Sequence, residues 1–174
     1  MSVLKNRRNS RGFTLIELLV SVVIMSVGVL GMAGLQMLSM QQNRSALLQG
    51  EATQLVNDIL DRMRANPDTS YDGVDIGDDP VVTDSCIGNT CTENEMKDFD
   101  VAQWLCAINS VDESDGSTHT VCDTFGITGS LPLGSGSVVL TGDIYEVTVQ
   151  WSDSQKVSDS AGTTRSVVIN AMAP

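Results

Sequence analysis

Hydrophobic and polar positions divide the first part of the chain into a polar, an apolar and an amphipathic stretch. Residues 1–12 are polar and basic, whereas residues 13–35 are apolar and carry a single charge, Glu17. An apolar stretch of this length is what a helix needs to cross a bilayer. The pattern therefore predicts a transmembrane helix over residues 13–35.

The positions that follow predict that the helix continues through residue 66. Residues 36–65 contain no proline and one glycine. Apolar residues recur at steps of three and four, which marks one buried helix face: Leu48, Ala52, Leu55, Ile59 and Met63. Asn66-Pro67 predicts the helix end, because a residue before proline avoids the helical region. We therefore expect an amphipathic continuation of the helix over residues 36–66.

Residues 67–174 are predicted to form a small globular domain that begins with loops. Residues 67–100 are loop-rich and acidic, and a short helix is expected near Glu93–Ala107. Its inward-facing side chains would be Met96, Phe99, Val101, Trp104 and Leu105. Residues 109–136 are rich in Ser, Gly, Asp and Thr, which is typical of loops.

Three strand-like segments close the domain: Ser137–Thr141, Ile144–Trp151 and Arg165–Ala171. In the second segment, apolar Tyr145, Val147, Val149 and Trp151 alternate with polar residues, as in a half-buried strand. Residues 141–143 and the polar stretch 152–164 are the predicted connecting turns. A long helix packed on a small antiparallel β-sheet, an α+β fold, is the expected architecture.

The charge of the chain argues against nucleic acid as a partner. The 174 residues carry a formal net charge of −12, and the first twelve contain four of the ten basic residues and none of the acidic ones. Without residues 1–12 the charge becomes −16. Such a field repels phosphate backbones.

Four cysteines follow the apolar stretch: Cys86, Cys91, Cys106 and Cys122. Beyond a membrane anchor, four cysteines favour two disulfides in an oxidising compartment. A four-thiolate zinc site is the alternative, but zinc sites usually have two closely spaced pairs and this chain has one. Of the three possible connectivities, Cys86–Cys91 with Cys106–Cys122 closes the shortest loops and is preferred.

Glu17 is the residue that points most directly to function. An ionisable group within a span is costly and marks a functional site by default, although a position close to the interface would keep it hydrated. Four basic residues precede the span, at positions 5, 7, 8 and 11. They predict a cytoplasmic N-terminus and place the C-terminal part on the other side of the membrane.

The segment RGFTLIELL at Arg11–Leu19 resembles the class III signal of type IV prepilins and type II secretion pseudopilins. The resemblance implies that a prepilin peptidase cleaves the 1–12 leader after Gly12 and methylates the new N-terminus, Phe13. It also implies that Glu17 is an assembly contact, since the α-amino group of Phe13, from the same or a neighbouring subunit, would supply the cation that a carboxylate in lipid needs.

Within that family the chain is similar to the minor pilins of type IV pili. The similarity lies in SVGVLGMAGLQ at Ser26–Gln36, the helix end at Arg62–Pro67, the Cys86 and Cys91 pair leading into Met96–Leu105, and Leu131–Gly134. It implies as partners other minor and major pilins, the inner-membrane assembly platform and, before assembly, the lipid bilayer. It also implies an inner-membrane precursor that moves into a surface pilus.

Two other functions remain open at this level. A minor pseudopilin of a type II secretion system would share the signal and the helix. A periplasmic enzyme or metal-binding module on an uncleaved anchor is the alternative of another class.

No catalytic residue, cofactor or metal site is predicted. His119 is the single histidine and lies in a polar stretch, where an exposed loop histidine is expected. The aspartates of residues 68–79 do not match the spacing of a calcium loop, so a solvated acidic loop is favoured and calcium is the alternative. Gly28, Gly31 and Gly34 either provide a smooth packing stripe or allow local unwinding of the helix.

Overall fold

Helices come first and strands last along the chain. The computed structural model describes residues 12–82, 86–152 and 164–173. Within these ranges the elements are α1 (Leu15–Ala65), α2 (Glu93–Ile108), α3 (Thr120–Phe125), β1 (Ser135–Thr141), β2 (Ile144–Ser152) and β3 (Thr164–Met172). The predicted α+β fold with a long N-terminal helix and a small antiparallel sheet is confirmed.

The part of α1 up to Asn43 belongs to a separate unit of the chain. Its large apolar side chains are all exposed within the described residues. By length and composition α1 can cross a membrane. The helix begins at Leu15, two residues after the predicted start, because Phe13 and Thr14 precede the first helical turn.

The second unit begins at Arg44, and the remainder of α1 supplies much of its core. All five side chains predicted to form the buried face are buried: Leu48, Ala52, Leu55, Ile59 and Met63. Val56 and Leu60 are buried as well, because the apolar stripe is wider than the minimal spacing indicates.

The three strands form one antiparallel sheet in the order β1-β2-β3. β1 and β2 are joined by a tight hairpin in which Thr141 pairs with Ile144, and Gly142 between them has a φ of 63°, which favours glycine. The predicted alternation of β2 is confirmed, since Tyr145, Val147, Val149 and Trp151 are all buried.

The outer edge of β1 is covered by the loop that follows α1. Val74 and Val138 exchange two backbone hydrogen bonds, with N···O distances of 3.4 and 2.9 Å. The carboxylate of Asp72 accepts a third from the backbone N–H of Leu140 at 2.7 Å. This loop therefore satisfies backbone groups that an edge strand otherwise leaves unpaired.

Helix α2 packs between α1 and the sheet through Trp104. The indole N–H of Trp104 donates to the backbone carbonyl of Leu55 at 2.8 Å, and its ring lies against β1 at Gly136. A Cβ at position 136 would collide with that ring. The absence of a side chain at Gly136 is therefore what lets α2 approach the sheet this closely.

The predicted helix near Glu93–Ala107 is confirmed and ends one residue later, at Ile108. It starts with a capping box, in which the side chains of Thr92 and Glu95 accept each other's backbone N–H. Of the predicted inward-facing residues, Phe99, Trp104 and Leu105 are buried, while Met96 and Val101 are half-buried.

The prediction that residues 109–136 form a continuous loop is wrong. They contain α3, and β1 begins at Ser135, two residues before the predicted start. Six residues are too few for a helical period to stand out among Ser, Asp and Thr. Strands β2 and β3 also extend beyond their predicted ends, and residues 153–163 of the predicted connecting turn lie outside the described residues.

Candidate assembly site at the start of the long helix

Gly12, Phe13 and Thr14 lead into α1 in a non-helical conformation. The Phe13 side chain is 80 % exposed. Residues 1–11 of the predicted leader lie outside the described residues. Gly12 and Phe13 therefore lie outside the helix.

Glu17 lies in the first turn of α1, and its carboxylate faces Thr14. The Oε2 atom is 3.4 Å from the backbone nitrogen of Thr14 and 3.5 Å from its hydroxyl oxygen. In return, the Thr14 hydroxyl oxygen is 3.4 Å from the backbone nitrogen of Glu17. A carboxylate in the first turn also interacts favourably with the helix dipole. Glu17 therefore stabilises the start of the helix while its side chain remains exposed.

The surface that follows Glu17 is apolar on all sides. Polar side chains within it are turned back onto the helix: the Ser21 hydroxyl donates to the carbonyl of Glu17 at 2.6 Å and the Ser26 hydroxyl to that of Val23 at 2.7 Å. Because these hydroxyls are satisfied locally, they do not oppose burial in lipid or against other helices.

The three glycines of this stretch lie inside the continuous helix. Among the described residues, a Cβ added at Gly28, Gly31 or Gly34 would meet no atom within 4 Å beyond the adjacent helix backbone, so no tertiary contact described here requires glycine at these positions. Both interpretations of the glycine stripe, close packing against another helix and local unwinding, are compatible with this arrangement.

A second polar cluster lies at the other end of α1, inside the domain. The Arg62 guanidinium contacts Asp58 at 3.0 Å and Asp100 of α2 at 2.9 Å. It also donates to the side-chain carbonyl of Gln103 at 3.0 Å. Burial opposes the charged form of Arg62, but the two carboxylates outweigh it and raise its pKa. Arg62 thus joins α1 to α2 as a permanent cation.

Tyr71 extends this cluster toward the sheet. Its hydroxyl donates to Asp100 at 2.8 Å, and its backbone N–H donates to the hydroxyl of Tyr145 at 3.2 Å. Burial raises the pKa of Tyr71 far above its ordinary value, and the hydrogen bond to Asp100 raises it further. The Tyr71 hydroxyl therefore stays protonated and remains a hydrogen-bond donor. The cluster has a structural role, because it joins α1, α2 and β2.

Both cysteine pairs form disulfides, Cys86 with Cys91 and Cys106 with Cys122. The first closes a short exposed loop before α2, and the second is fully buried and ties α2 to α3. A ring contact between Phe99 and Phe125, with centroids 5.2 Å apart, supports the same junction. These bonds leave none of the four thiols for the four-thiolate zinc alternative.

The prediction that His119 is exposed is wrong. Its side chain is only 15 % exposed, and Nε2 lies 3.7 Å from Oδ1 of Asp79. The backbone N–H of His119 donates to the backbone carbonyl of Ser110 at 2.9 Å just before α3. The polar residues next to His119 in sequence gave no signal of its partial burial. That burial arises from the turn between Ser110 and His119, which a local sequence pattern does not reveal.

The acidic loop is partly built into the fold. Asp72 is bonded to β1, and Asp78 accepts from the backbone N–H of Asp75 at 2.8 Å. Further along, hydrogen bonds from Ser114 lower the pKa of Asp112, and those from Ser117 lower the pKa of Asp115. Among the described residues, no group of three or more His, Cys, Asp or Glu side chains is placed to hold a metal ion.

Two family models match adjacent parts of the chain. The prokaryotic N-terminal methylation motif matches residues 7–33, and type IV pilin Tt1218 matches residues 34–102. No curated protein and no solved structure matches the chain. The two models meet within α1, between residues 33 and 34, and together span more than half of the residues. The chain is a type IV pilin-like protein.

Pilins are structural subunits rather than enzymes. The methylation motif and the apolar helix together suggest membrane anchoring and association with a pilus. They also imply processing by a prepilin peptidase and interaction with other pilins.

Proposed function

We propose that the chain is a minor pilin of a type IV pilus. Prepilin peptidase removes residues 1–12 after Gly12 and methylates the amino group of Phe13. Residues 13–35 then pass from the inner membrane into the filament core, and residues 36–66 continue the helix. Residues 67–174 form the disulfide-stapled domain, which faces outward and takes part in priming or modifying the pilus tip.

Glu17 is the observation that carries this proposal. It is the single charge within the exposed apolar stretch and lies four residues after Phe13. An uncompensated carboxylate in lipid or in an apolar filament core is costly. A free α-amino group at Phe13 of a neighbouring subunit supplies the missing cation, and the pairing sets the register of each incoming subunit.

The proposed subtype is PilV, the type IV pilus modification protein. Support comes from Ser26–Gln36, the Arg62–Pro67 helix end, the Cys86 and Cys91 pair followed by Met96–Leu105, and Leu131–Gly134. The proposed partners are prepilin peptidase, other minor pilins, the major pilin and the inner-membrane assembly platform. The basic leader keeps the N-terminus cytoplasmic, so the domain folds in the periplasm, where its disulfides form.

The first test is the mass of the mature chain, purified from cells with an active prepilin peptidase. The expected N-terminus is a methylated Phe13. A chain that still starts with an unmodified Met1 would contradict the proposal and favour an anchored periplasmic enzyme or binding module.

The second test is incorporation of a Glu17→Ala variant into sheared filaments, measured by immunoblot. We expect normal cleavage and a loss of incorporation of at least tenfold. Glu51→Ala, which removes a carboxylate from the domain part of the same helix, is the matched control and should incorporate normally. Normal incorporation of Glu17→Ala would remove the role assigned to this carboxylate. A wild-type chain that is cleaved but recovered only in secretion pseudopili would instead identify a pseudopilin.

A further inference from the structure

The two outer edges of the sheet differ in how they are covered. The edge of β1 is bonded to the loop after α1 through Val74 and Asp72. Within residues 12–82, 86–152 and 164–173, no backbone hydrogen bond reaches the outer edge of β3. β3 is nine residues long, contains no proline and pairs with β2 in an unbroken register. Proteins usually protect an edge of this kind.

The register fixes which backbone groups of β3 point outward. The N–H of Ala173 donates to the carbonyl of Asp143 at 2.8 Å, so this is a hydrogen-bonded pair, and such pairs alternate along an antiparallel ladder. Every second residue of β3 therefore bonds to β2, and the residues between them turn their N–H and C=O groups outward, about 7 Å apart. The outward set is Thr164, Ser166, Val168, Asn170 and Met172.

The apolar side chains along this edge are incompletely covered. Val167, Ile169 and Ala171 pack against the core but are only partly buried. The residues opposite them on β2 are fully or almost fully buried. A further strand beside β3 would therefore cover apolar surface as well as pair backbone groups, which adds to its stability.

Open space lies between β3 and α1 at both ends of the strand. A cavity of about 350 Å³ lies where Ser45 and Gln49 of α1 face the start of β3 at Arg165. Another, of about 210 Å³, lies where Met63 faces Ala173, just after the strand ends. Side chains of an added strand that point toward α1 have room at these two places.

We propose that the outer edge of β3 is a docking site for an extended segment of another protein, which adds a fourth strand to the sheet. N–H and C=O groups that alternate along an edge are matched by the backbone of an extended strand, whereas the backbone groups of a helix are already bonded to each other. This surface lies in the domain, so the inference does not rest on the proposed function.

Charge indicates which kind of strand binds. β3 contains no acidic residue and one basic residue, Arg165, in a chain whose formal net charge is −12. A neutral or basic segment is attracted by such a chain, whereas a second copy of the chain is repelled. The expected partner segment therefore carries apolar side chains on alternate residues and has no acidic excess.

The first test is amide hydrogen exchange of the full-length chain in detergent micelles, with and without a probe peptide. The probe is as long as β3 and alternates valine with threonine and lysine. Without it, the amides of Ser166, Val168 and Asn170 should exchange faster than those of the residues between them. With it, these three amides should exchange at least about tenfold more slowly, because the new hydrogen bonds must open first.

The second test uses Val168→Pro, which removes one outward N–H and no hydrogen bond to β2, a position where a strand tolerates proline. The affinity for the probe should fall about fivefold, as expected for one lost hydrogen bond. Val168→Thr keeps the N–H and is the matched control, and the urea midpoint shows whether each variant is folded. A probe that is N-methylated at alternate residues tests the same contact on the wild-type chain and should not bind.

Three results would overturn the docking site. Slow exchange of the three outward amides in the chain alone would mean that the edge is already covered. Slow exchange that appears only as the chain is concentrated would make a second copy the occupant. Equal binding of the methylated and unmethylated probes would show that the backbone of the probe does not pair with β3. Each of these outcomes leaves the proposed function intact, because that is tested by cleavage after Gly12 and by Glu17→Ala.

Discussion

The two parts of α1 share one backbone conformation and have opposite surroundings. Up to Asn43 the large apolar side chains are exposed, whereas in Leu48–Met63 one face is buried in the domain. Apolar surface of this extent is not left in water by a stable monomer. We therefore expect the first part to find its partners in lipid or in other subunits, whereas one face of the second part packs into the domain.

The difference predicts that similar substitutions have unequal effects in the two parts. Ile59 is fully buried and Ile24 is 68 % exposed. Ile59→Ala should lower the free energy of unfolding of the domain by about 2–5 kcal/mol, because it leaves a cavity. Ile24→Ala should change it by less than about 0.5 kcal/mol.

Both isoleucine variants can be measured as full-length protein in detergent micelles by urea unfolding followed by tryptophan fluorescence. Trp104 and Trp151, the two tryptophans of the chain, are both buried in the domain. Equal destabilisation by the two substitutions would contradict the division of the helix.

A smaller effect is expected at the charged end of α1. Arg62→Met leaves the Asp100 side chain, which is 12 % exposed, without its cation. We expect a loss of about 2–3 kcal/mol, somewhat below the cost of breaking a fully buried pair, because Arg62 is partly solvated. Arg64→Met, which removes an exposed pair with Asp61, is the control and should cost less than about 0.5 kcal/mol. A similar cost for both would mean that the Arg62 cluster does not join α1 to α2.

The smallest expected effect is on the stability of the domain at acidic pH. Hydrogen bonds from the backbone and hydroxyl of Thr92 lower the pKa of Glu95. A carboxylate whose pKa is lower in the folded state stabilises the fold above its ordinary pKa and loses that contribution as pH falls through the folded value. The urea midpoint should therefore drop between about pH 5 and pH 3, and the drop should shrink in Glu95→Gln.

Glu93→Gln removes a charge from the same helical turn without touching the Thr92 contacts, and it serves as the control for the acid experiment. If the urea midpoint falls with pH as much in Glu95→Gln as in the wild-type chain, the capping box does not contribute to the acid dependence of stability. The Asp112 and Asp115 turns, whose pKa values are lowered by serine hydrogen bonds, would then account for it.

Periodic elements of the fold were predictable from the sequence because their signals repeat. The five apolar positions of α1 and the alternation of β2 each form a pattern that repeats over several residues, so single exceptions do not hide them. Helix α3 was missed because it is held by the Cys106–Cys122 bond and the Phe99–Phe125 contact rather than by its own pattern. Those contacts join residues that are far apart in sequence.

Among the polar residues of the sites, some could be predicted from the sequence and others could not. Glu17 stood out because a charge in an apolar stretch is conspicuous. The burial of Asp100 did not stand out, because an aspartate in a polar helix is ordinary until Arg62 and Tyr71 are known to surround it. The contact of Thr14 with Glu17 has a sequence signal, the capping-box spacing, which the apolar surroundings obscured.

Gly136 limits how freely the sheet sequence can change. The Trp104 ring occupies the space where a side chain at position 136 would project, and the same indole is hydrogen-bonded to the backbone of Leu55. A methyl group added at position 136 would therefore disturb the packing of both α1 and α2. A larger residue at 136 needs smaller side chains at both 104 and 108, because a Cβ there would also lie 2.7 Å from Cδ1 of Ile108. Without the indole, the carbonyl of Leu55 needs another donor. Positions 104, 108 and 136 should therefore vary together among related pilins.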